Sequence, residues 1–325
     1  MPYDVVTFGE TMLRLTPPHQ LRIEQSSQLE MHVGGSESNV AVGIARLGMR
    51  AAWLSRLTDN VLGRHIEQTL RGQGVDTRHI IWTQADRVGL YFLEEGLPPR
   101  ASLVTYDRAN SAMSRIQPAD LPEALFQPGI ARLLHLTGIT PALSETAAQT
   151  ARQAITLAKN SNWLVSFDFN LRRLLWEPAQ ALAGCRDLAA RADLIFISLA
   201  DVCAFYNLSS HTPLEQIFAI LRDQFPQASV IITLGAQGAA GSLPHNTLIY
   251  HQPVFPADTR GRIGRGDAFV AGFLYHYLGN NDLPAALTWG AATAAFKSSL
   301  WGDMPLISRD EVAKLVGGQS SSILR

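Results

Sequence analysis

The sequence predicts an α/β protein of three α/β/α layers, with a mostly parallel central sheet and a small β-sheet lid. Two observations predict this class. Short apolar strand segments alternate with amphipathic helix segments, which is the order of a parallel sheet with helical crossovers. Two stretches, 11–33 and 87–108, interrupt the alternation with strand-like pieces and no helix. We therefore assign residues 1–10, 34–86 and 109–325 to the α/β domain and the two stretches to the lid.

The strands of the central sheet are predicted from short apolar runs, because a strand buried on both faces carries apolar residues throughout. The runs are Val5–Phe8, Ala51–Leu57, Leu133–Leu136, Trp163–Phe167, Leu194–Ile197 and Val230–Thr233. Helices are predicted from helical periodicity and from glycines that follow it. These segments are Val40–Leu47, Leu62–Arg71, Thr146–Lys159, Ala179–Ala190, Asp201–Tyr206, Leu214–Gln224 and Ala268–Leu278.

The two interrupting stretches predict a small antiparallel sheet. The second contains strand candidates Gly89–Glu94 and Ala101–Tyr106 around a turn with Pro98-Pro99. Placed over a substrate site, such a sheet would act as a lid. Two long surface hairpins are the alternative.

Composition limits the partners of the chain. Its 325 residues are 46% hydrophobic and carry a formal net charge of -1, so a large core is expected and a bulk basic surface for nucleic acid is not. Two cysteines, Cys185 and Cys203, suggest free thiols in a reducing compartment. No basic leader precedes an apolar run, and no apolar stretch is long enough for a bilayer. We expect a cytoplasmic protein without a membrane partner.

Several common site patterns are absent from the sequence. It contains no Gly-x-x-x-x-Gly-Lys-[Ser/Thr], which excludes a P-loop kinase. No Gly-x-Gly-x-x-Gly follows Val5–Phe8, so a dinucleotide-binding enzyme is poorly supported. The nine histidines lack the spacing of a structural zinc site.

The strongest functional pattern is Gly264-Arg265-Gly266-Asp267 at the start of a predicted helix. Glycines there let backbone N–H groups approach a phosphate, and the helix dipole favours negative charge. A carboxylate beside the phosphate can take a proton from a hydroxyl. The alternative is that Asp267 only caps the helix.

Three further motifs lie where open α/β sheets bind ligands, after strands or before a helix. They are Thr233-Leu234-Gly235-Ala236-Gln237-Gly238, Asp168-Phe169-Asn170-Leu171-Arg172, and Gly34-Gly35 followed by Asn39. Polar side chains after an apolar strand need partners or solvent, which favours a site. Glycine pairs let a ligand lie against the backbone, and an asparagine can bond hydroxyls. Taken singly, the first motif is also an ordinary turn and the last an ordinary helix start.

Together these motifs resemble the PfkB, or ribokinase-like, sugar kinases, and the resemblance runs from Phe8-Gly9-Glu10 to Trp301-Gly302-Asp303. It implies a ribokinase-like fold with a β-lid, ATP and Mg2+ as cofactors, and Asp267 as the base. It also implies that Gly264, Arg265 and Gly266 form the anion hole. Nucleotide-binding residues implied in the same way are Asp168, Asn170, Ser198, Thr233, Gly235 and Gly238.

A narrower resemblance is to 2-keto-3-deoxygluconate kinases. The segments that carry it are Gly89-Leu90-Tyr91, Tyr106-Asp107-Arg108, Thr137–Leu143 and Asp168-x-Asn170-x-Arg172 before Trp176. A sugar acid has a carboxylate, which arginine binds in a bidentate, charge-assisted pair. The resemblance therefore implies Arg108 and Arg172 as carboxylate ligands, with Tyr91 and Tyr106 on the carbon chain and Gly34, Gly35 and Asn39 on the sugar. Surface ion pairs are the alternative for both arginines.

The sequence departs from the family at three positions. An aspartate that helps hold a monovalent cation is replaced by Gly261, with Asp258 three residues further back, so we expect little response to potassium. The motif Asn-x-x-Glu appears as Ser198-x-x-Asp201, which makes Asp201 the expected metal ligand. Arg265 stands where a small residue is frequent.

The sequence thus predicts transfer of the ATP γ-phosphoryl group to a primary hydroxyl of a small sugar acid, with 2-keto-3-deoxygluconate preferred. A neutral-sugar kinase for fructose or ribose is one alternative. A non-catalytic sugar-binding protein is another, which an intact Asp267 argues against. The exposed edges of the lid suggest a homo-oligomer formed through it.

Overall fold

The computed structural model describes residues 2–258, 260–261 and 263–318. Within this part a central sheet of nine strands is formed by β1 (Tyr3–Phe8), β4 (Ala51–Thr58), β5 (Ile80–Thr83), β8 (Ala131–Thr137), β9 (Leu164–Asp168), β10 (Leu194–Ser198), β11 (Ser229–Thr233), β12 (Ala239–Ser242) and β13 (Tyr250–Gln252). Its order is β13-β12-β11-β10-β9-β8-β1-β4-β5. All pairs are parallel except β11–β12 and β12–β13. The predicted mostly parallel sheet is confirmed.

Helices cover both faces of this sheet. They are α1 (Ser36–Arg46), α2 (Val61–Gly72), α3 (Ile139–Ala142), α4 (Glu145–Asn160), α5 (Pro178–Ala190), α6 (Leu199–Tyr206), α7 (Leu214–Gln224), α8 (Arg265–Asn280), α9 (Leu283–Ser298) and α10 (Arg309–Val316). Val5 of β1 packs in the core shared with α1, α2, α8 and α9. Val6 and Phe8 pack in the opposite core with α4, α5, α6 and α7. Alternate residues of one strand thus face two helical layers, which confirms the three-layer architecture.

The smaller sheet, hereafter the lid sheet, consists of β2 (Met12–Thr16), β3 (Glu30–Gly34), β6 (Leu90–Glu94) and β7 (Leu103–Asp107) in the order β3-β2-β6-β7. The outer pairs are antiparallel, but β2 and β6 are parallel. The prediction of a wholly antiparallel lid was therefore wrong at its centre. The reason is that β2 follows β1 in the chain and β6 follows β5. Because β1 and β5 are parallel, the chain leaves the same edge of the central sheet in the same direction both times. The boundaries 11–33 and 87–108 remain a prediction.

Sequence reasoning missed β5, β12, β13, α3, α9 and α10. In α9 alanine and other apolar residues occur nearly all around the helix, so no polar stripe reveals its period. Within the described residues, no helix combines the length and apolarity needed to cross a membrane. Cys185 and Cys203 are both free, as expected.

The topology places several polar segments at one edge of the sheet. Strands β1, β8, β9, β10 and β11 are parallel, so their carboxyl ends meet there. Helices α1 and α8 pack against each other on one side of this edge. The predicted motifs at the ends of β9, β10 and β11 are thereby brought together with those at the starts of α1 and α8.

Candidate active site

Asp267 lies in the first turn of α8. Gly264, with φ at 76°, directly precedes the helix, which begins three residues earlier than the sequence predicts. A Cβ atom on Gly264 would lie 2.0 Å from the carbonyl oxygen of Asp303, so conformation and space both require glycine. The first-turn N–H groups, which include those of Arg265 and Gly266, have no partner within the helix and lie at its positive end. This turn is suited to bind an anion.

Two side chains of α1 hold the Asp267 carboxylate. Ser36 Oγ donates to Oδ1 and Asn39 Nδ2 donates to Oδ2, both at 2.7 Å. Ser36 Oγ in turn accepts a hydrogen bond of 2.8 Å from Asn170 Nδ2. Burial raises the pKa of Asp267, and the hydrogen bonds from Asn39 and Ser36 oppose this rise. Asp267 is thus a fixed carboxylate that is more basic than an exposed one.

This arrangement limits the ways in which Asn39 can bind a sugar, and its role in substrate binding stays a prediction. The sequence assigned Asn39 to sugar hydroxyls, but its amide nitrogen is bonded to Asp267. Its Oδ1 atom is buried and has no hydrogen-bond partner among the described residues. A ligand hydroxyl can therefore bond only to this oxygen without breaking the contact with Asp267.

Two adjoining cavities meet at Asp267. The lid-side cavity has a volume of about 150 Å³ and the sheet-side cavity about 410 Å³. Arg172, Ile263, Gly264 and Asp267 line both. Predicted residues that line only the lid-side cavity are Gly34, Gly35, Asn39, Tyr91, Tyr106 and Arg108. Those that line only the sheet-side cavity are Asp168, Asn170, Ser198, Asp201, Thr233, Arg265 and Gly266.

The lid sheet contributes an aromatic wall and one paired arginine. Tyr91 and Tyr106 are paired in register across β6 and β7, with ring centroids 6.1 Å apart. The Arg108 guanidinium lies 5.2 Å from the Tyr106 ring centroid, a cation–π distance. Arg108 is buried, and its Nε and Nη2 both donate to Glu10 Oε2, the former at 2.9 Å. The alternative of a surface ion pair is thus wrong for Arg108, because the pair with Glu10 is buried.

Arg172 differs from Arg108 in having no such partner. It follows β9, is exposed, and borders both cavities. Among the residues that the structure describes, its guanidinium makes no hydrogen bond or ion pair. Burial raises the pKa values of Asp168, Asp201 and Asp267, and the charge of Arg172 opposes this rise. Arg172 is thus a cation available to a ligand in either cavity.

Three carboxylates give the sheet-side cavity a negative field. Burial raises the pKa of Asp168 well above its usual range, and the charges of Asp267 and Asp201 raise it further. Burial also raises the pKa of Asp201. Neighbouring negative charges in a partly buried site disfavour ionisation of each carboxyl group. A cation bound beside them would favour the ionised form.

The glycine-rich turn after β11 is only partly at the site. Thr233 and Ser198 line the sheet-side cavity, but Gly235 and Gly238 are not among its lining residues. Gly238 has φ at 102° and lies against Gln252, whose carbonyl oxygen would be 2.0 Å from a Cβ. Gly235 and Gly238 thus form a tight turn between β11 and β12, and their contact with a nucleotide stays a prediction. Ser198 also caps α6 by accepting from the Asp201 N–H at 3.0 Å.

Sequence reasoning missed several polar residues of the lid-side cavity. Glu37 is buried, and it accepts hydrogen bonds from the Thr137 and Thr140 hydroxyls. Burial raises its pKa to about 7. Asp303 is buried between Tyr91 Oη, which donates to its Oδ1 at 3.3 Å, and Arg14 Nε, 3.2 Å from its Oδ2. The sequence signal that could have found Glu37 is a single carboxylate among the small and amide residues between Gly34 and Asn39.

Comparison with known proteins gives consistent matches over the whole chain. A family model described as pfkB family carbohydrate kinase matches residues 3–303. The chain is 38% identical over 325 residues to 2-dehydro-3-deoxygalactonokinase of Haloferax volcanii, covering 100% of both. It is 31% identical to 2-dehydro-3-deoxygluconokinase of Bacillus subtilis, covering 98% of this chain and 97% of the relative. The crystal structure of 2-dehydro-3-deoxygluconokinase from Thermotoga maritima is similar with a TM-score of 0.90 and 29% identity, covering 98% and 99%.

Proposed function

The chain belongs to the pfkB family of carbohydrate kinases, and on that basis we propose that it transfers the γ-phosphoryl group of ATP to a primary hydroxyl of a small sugar acid. The proposed acceptor is 2-keto-3-deoxygluconate, also called 2-dehydro-3-deoxygluconate, or its galacto epimer. The observation that carries the proposal is Asp267 in the wall shared by two cavities, at the amino end of α8. The printed names of the relatives support the sugar-acid class.

In this proposal the lid-side cavity binds the sugar acid. Tyr91 and Tyr106 pack on the carbon chain, and Gly34 and Gly35 let the substrate lie against the backbone. Arg172, which has no partner among the described residues, binds the substrate carboxylate. Arg108 already lies in the wall of the cavity. Its guanidinium can bind the same substrate carboxylate while it keeps a contact with Glu10.

ATP occupies the sheet-side cavity, where Thr233, Ser198, Asn170 and Asp168 lie. The N–H groups of the turn at Gly264 and Gly266 bind the phosphates. This assignment rests on the size of the cavity and on the amino end of α8 that borders it.

The chemical step follows from the position of Asp267. Its carboxylate takes the proton of the primary hydroxyl as the hydroxyl oxygen forms a bond to the γ-phosphorus. The bond from that phosphorus to the β,γ-bridging oxygen breaks, and ADP leaves with the electron pair. The raised pKa of Asp267 favours proton acceptance, while Ser36 and Asn39 keep the carboxylate oriented. The amides of Gly264, Arg265 and Gly266 stabilise the charge that spreads over the transferring group.

The residues present fit Mg2+. Asp201 and Asp168 face the sheet-side cavity, and each has a raised pKa that a cation would relieve. Within the described residues no three His, Cys, Asp or Glu side chains converge as a metal cage. Mg2+ commonly uses one or two carboxylates together with substrate phosphates and water, so Asp201 with Asp168 suffices. Bound there, Mg2+ would neutralise phosphate charge.

A neutral-sugar kinase is a second candidate, favoured by one observation. Arg108 is already neutralised by Glu10, so only Arg172 is left unpaired for a substrate carboxylate. A site for fructose would need neither arginine, because fructose has no carboxylate.

A panel assay of ATP consumption distinguishes these candidates. It should include 2-keto-3-deoxygluconate, 2-keto-3-deoxygalactonate, fructose and ribose, each with Mg2+. We expect kcat/KM to be highest for a sugar acid. A preference for fructose would reject the sugar-acid class, and no consumption with any sugar would reject the proposed function.

Two further expectations belong to the same proposal. A homo-oligomer through the lid sheet is supported by its open edge strands, β3 and β7, and by exposed apolar side chains, Met31 and Leu103. Light scattering of the eluted protein would measure its mass, and a monomer would reject the oligomer. A cytoplasmic location is supported by the two free thiols.

A further inference from the structure

We propose that the buried ammonium group of Lys297 is an internal monovalent cation that holds the backbone beside the anion-binding turn, so that catalysis needs no such ion from solution. In this role Lys297 is a positioning residue, since it acts through Gly264 rather than on the substrate. The inference rests on the proposed kinase function, because the turn at Gly264 is taken to bind phosphate.

The ammonium of Lys297 has the surroundings of a bound cation. Lys297 lies in the last turn of α9 and is fully buried, at 0% exposure. Its Nζ donates to the carbonyl oxygens of Gly302 at 2.9 Å and Leu300 at 3.3 Å. Burial lowers the pKa of Lys297, and the nearby Asp303 carboxylate opposes this. Backbone carbonyls with one carboxylate nearby are oxygen donors of the kind that hold a hard metal cation.

Contacts connect this lysine directly to the anion-binding turn. A Cβ on Gly264 would lie 3.3 Å from Lys297 Cε and 2.0 Å from the carbonyl oxygen of Asp303. The aliphatic stem of Lys297 and segment 300–303 therefore form the surface on which the turn rests. If the carbonyl of Gly302 moved, the wall behind Gly264 would move with it. A displacement of about 1 Å in such a wall can cost about a hundred-fold in rate.

Gly261 adds a second, independent observation. The N–H groups of Arg260 and Gly261 both donate to Ser298 O, at 2.7 and 3.3 Å, so this loop lies along the same segment. A Cβ on Gly261 would lie 3.2 Å from Leu300 O, which is one of the two oxygens that accept from Lys297. The φ angle of Gly261 lies outside the left-handed region, so its backbone does not require glycine. A side chain at this position would thus begin beside an oxygen to which the ammonium already donates.

The simpler interpretation is that Lys297 only caps α9, since lysines are common in last helical turns and bond the final carbonyls. Lys314 provides a matched control, because it lies in the last turn of α10 but is exposed. A capping role predicts effects that do not depend on the salt for either lysine. An internal cation predicts that small monovalent cations replace Lys297 when its side chain is removed.

The experiment compares the wild type with Lys297→Ala, Lys297→Met and Lys314→Ala. Each is assayed for kcat in potassium, ammonium or tetramethylammonium chloride at fixed ionic strength, and its Tm is measured in the same salts without substrate. We expect the wild type and Lys314→Ala to respond little to the salt. Lys297→Ala should lose about a hundred-fold in kcat in tetramethylammonium. Potassium or ammonium should restore much of the loss and raise the Tm, because either ion enters the vacated space. Lys297→Met fills that space without a charge and should not be restored.

Three results would overturn the inference. They are strong potassium activation of the wild type, full activity of Lys297→Ala in tetramethylammonium, and an equal loss for Lys297→Ala in every salt. Lys297→Ala could fail to fold in tetramethylammonium. In that case, folding of the variant in potassium supports the inference, and failure to fold in every salt rejects it. Inactivity of the wild type on every sugar rejects the proposed function instead, while the salt-dependent Tm still tests the role of Lys297.

Discussion

Replacing Arg172 tests the substrate class most directly. Arg172 is exposed and makes no ion pair within the described residues, so Arg172→Ala removes no contact that stabilises the fold. Its effect on activity should therefore come from the ligand and, for every substrate alike, from the lost charge near Asp267. A hydrogen bond to a charged group contributes about 1.5–3 kcal/mol. This predicts a ten- to hundred-fold decrease in kcat/KM for 2-keto-3-deoxygluconate, by about 1.4 kcal/mol for each factor of ten.

The assay needs two substrates and a neighbouring control. kcat/KM for the sugar acid and for fructose should be measured for the wild type, Arg172→Ala and Arg173→Ala. Arg173 is exposed in the same segment but is not among the residues that line either cavity. We expect Arg172→Ala to lower kcat/KM much more for the sugar acid than for fructose, and Arg173→Ala to affect neither substrate. An equal decrease on both substrates would show that Arg172 binds phosphate or supports the fold, and would refute the reasoning.

Three other predictions follow from the site. Asp267→Asn keeps the size of the side chain but not the base, so kcat should fall about 10²- to 10⁴-fold at an unchanged Tm; near wild-type turnover would remove Asp267 from the mechanism. Arg108→Ala leaves the Glu10 carboxylate buried and unpaired, so the free energy of unfolding should fall by about 3–5 kcal/mol in denaturant titrations. The fall should be smaller when the same change is made in a Glu10→Gln background. An equal fall in both backgrounds would show that the ion pair does not contribute to stability. Glu37 has a pKa raised from 4.5 to about 7 by burial, so it stabilises the protein below pH 4.5 and this stability is lost as the pH rises through 7. The Tm of the wild type should therefore fall over that range relative to Glu37→Gln, which keeps the acceptor oxygen, and parallel curves would contradict the assignment.

The general position of the site was predictable because its residues follow simple rules. Asp168 and Thr233 end apolar strands, and parallel strands bring such ends together whatever the details of packing. Asp267 follows two glycines before a helix, which is a local pattern. The sequence could thus locate the edge of the sheet, the amino end of α8 and the lid.

What the sequence could not predict depends on contacts between distant residues. Ser36 and Asp267 are 231 residues apart, and their hydrogen bond exists only because α1 packs against α8. Glu10 and Arg108 are 98 residues apart, so the pair that neutralises Arg108 leaves no local pattern. The parallel pairing of β2 with β6 is likewise set by where the central sheet delivers each segment.

The short link between the lid sheet and α1 bears on the hydrolysis of ATP when no sugar is bound. Strand β3 ends at Gly34 and α1 begins at Ser36, so a single residue separates the lid sheet from the helix whose side chains hold Asp267. We therefore expect a shift of β3 to act through Gly35 on Ser36 and Asn39, the two donors to Asp267. A kinase with ATP bound and no sugar exposes a reactive phosphoryl group to water. Here the sheet that covers the acceptor cavity and the donors that orient Asp267 are joined through one residue, so we expect them to shift together and ATP hydrolysis without sugar to be slow.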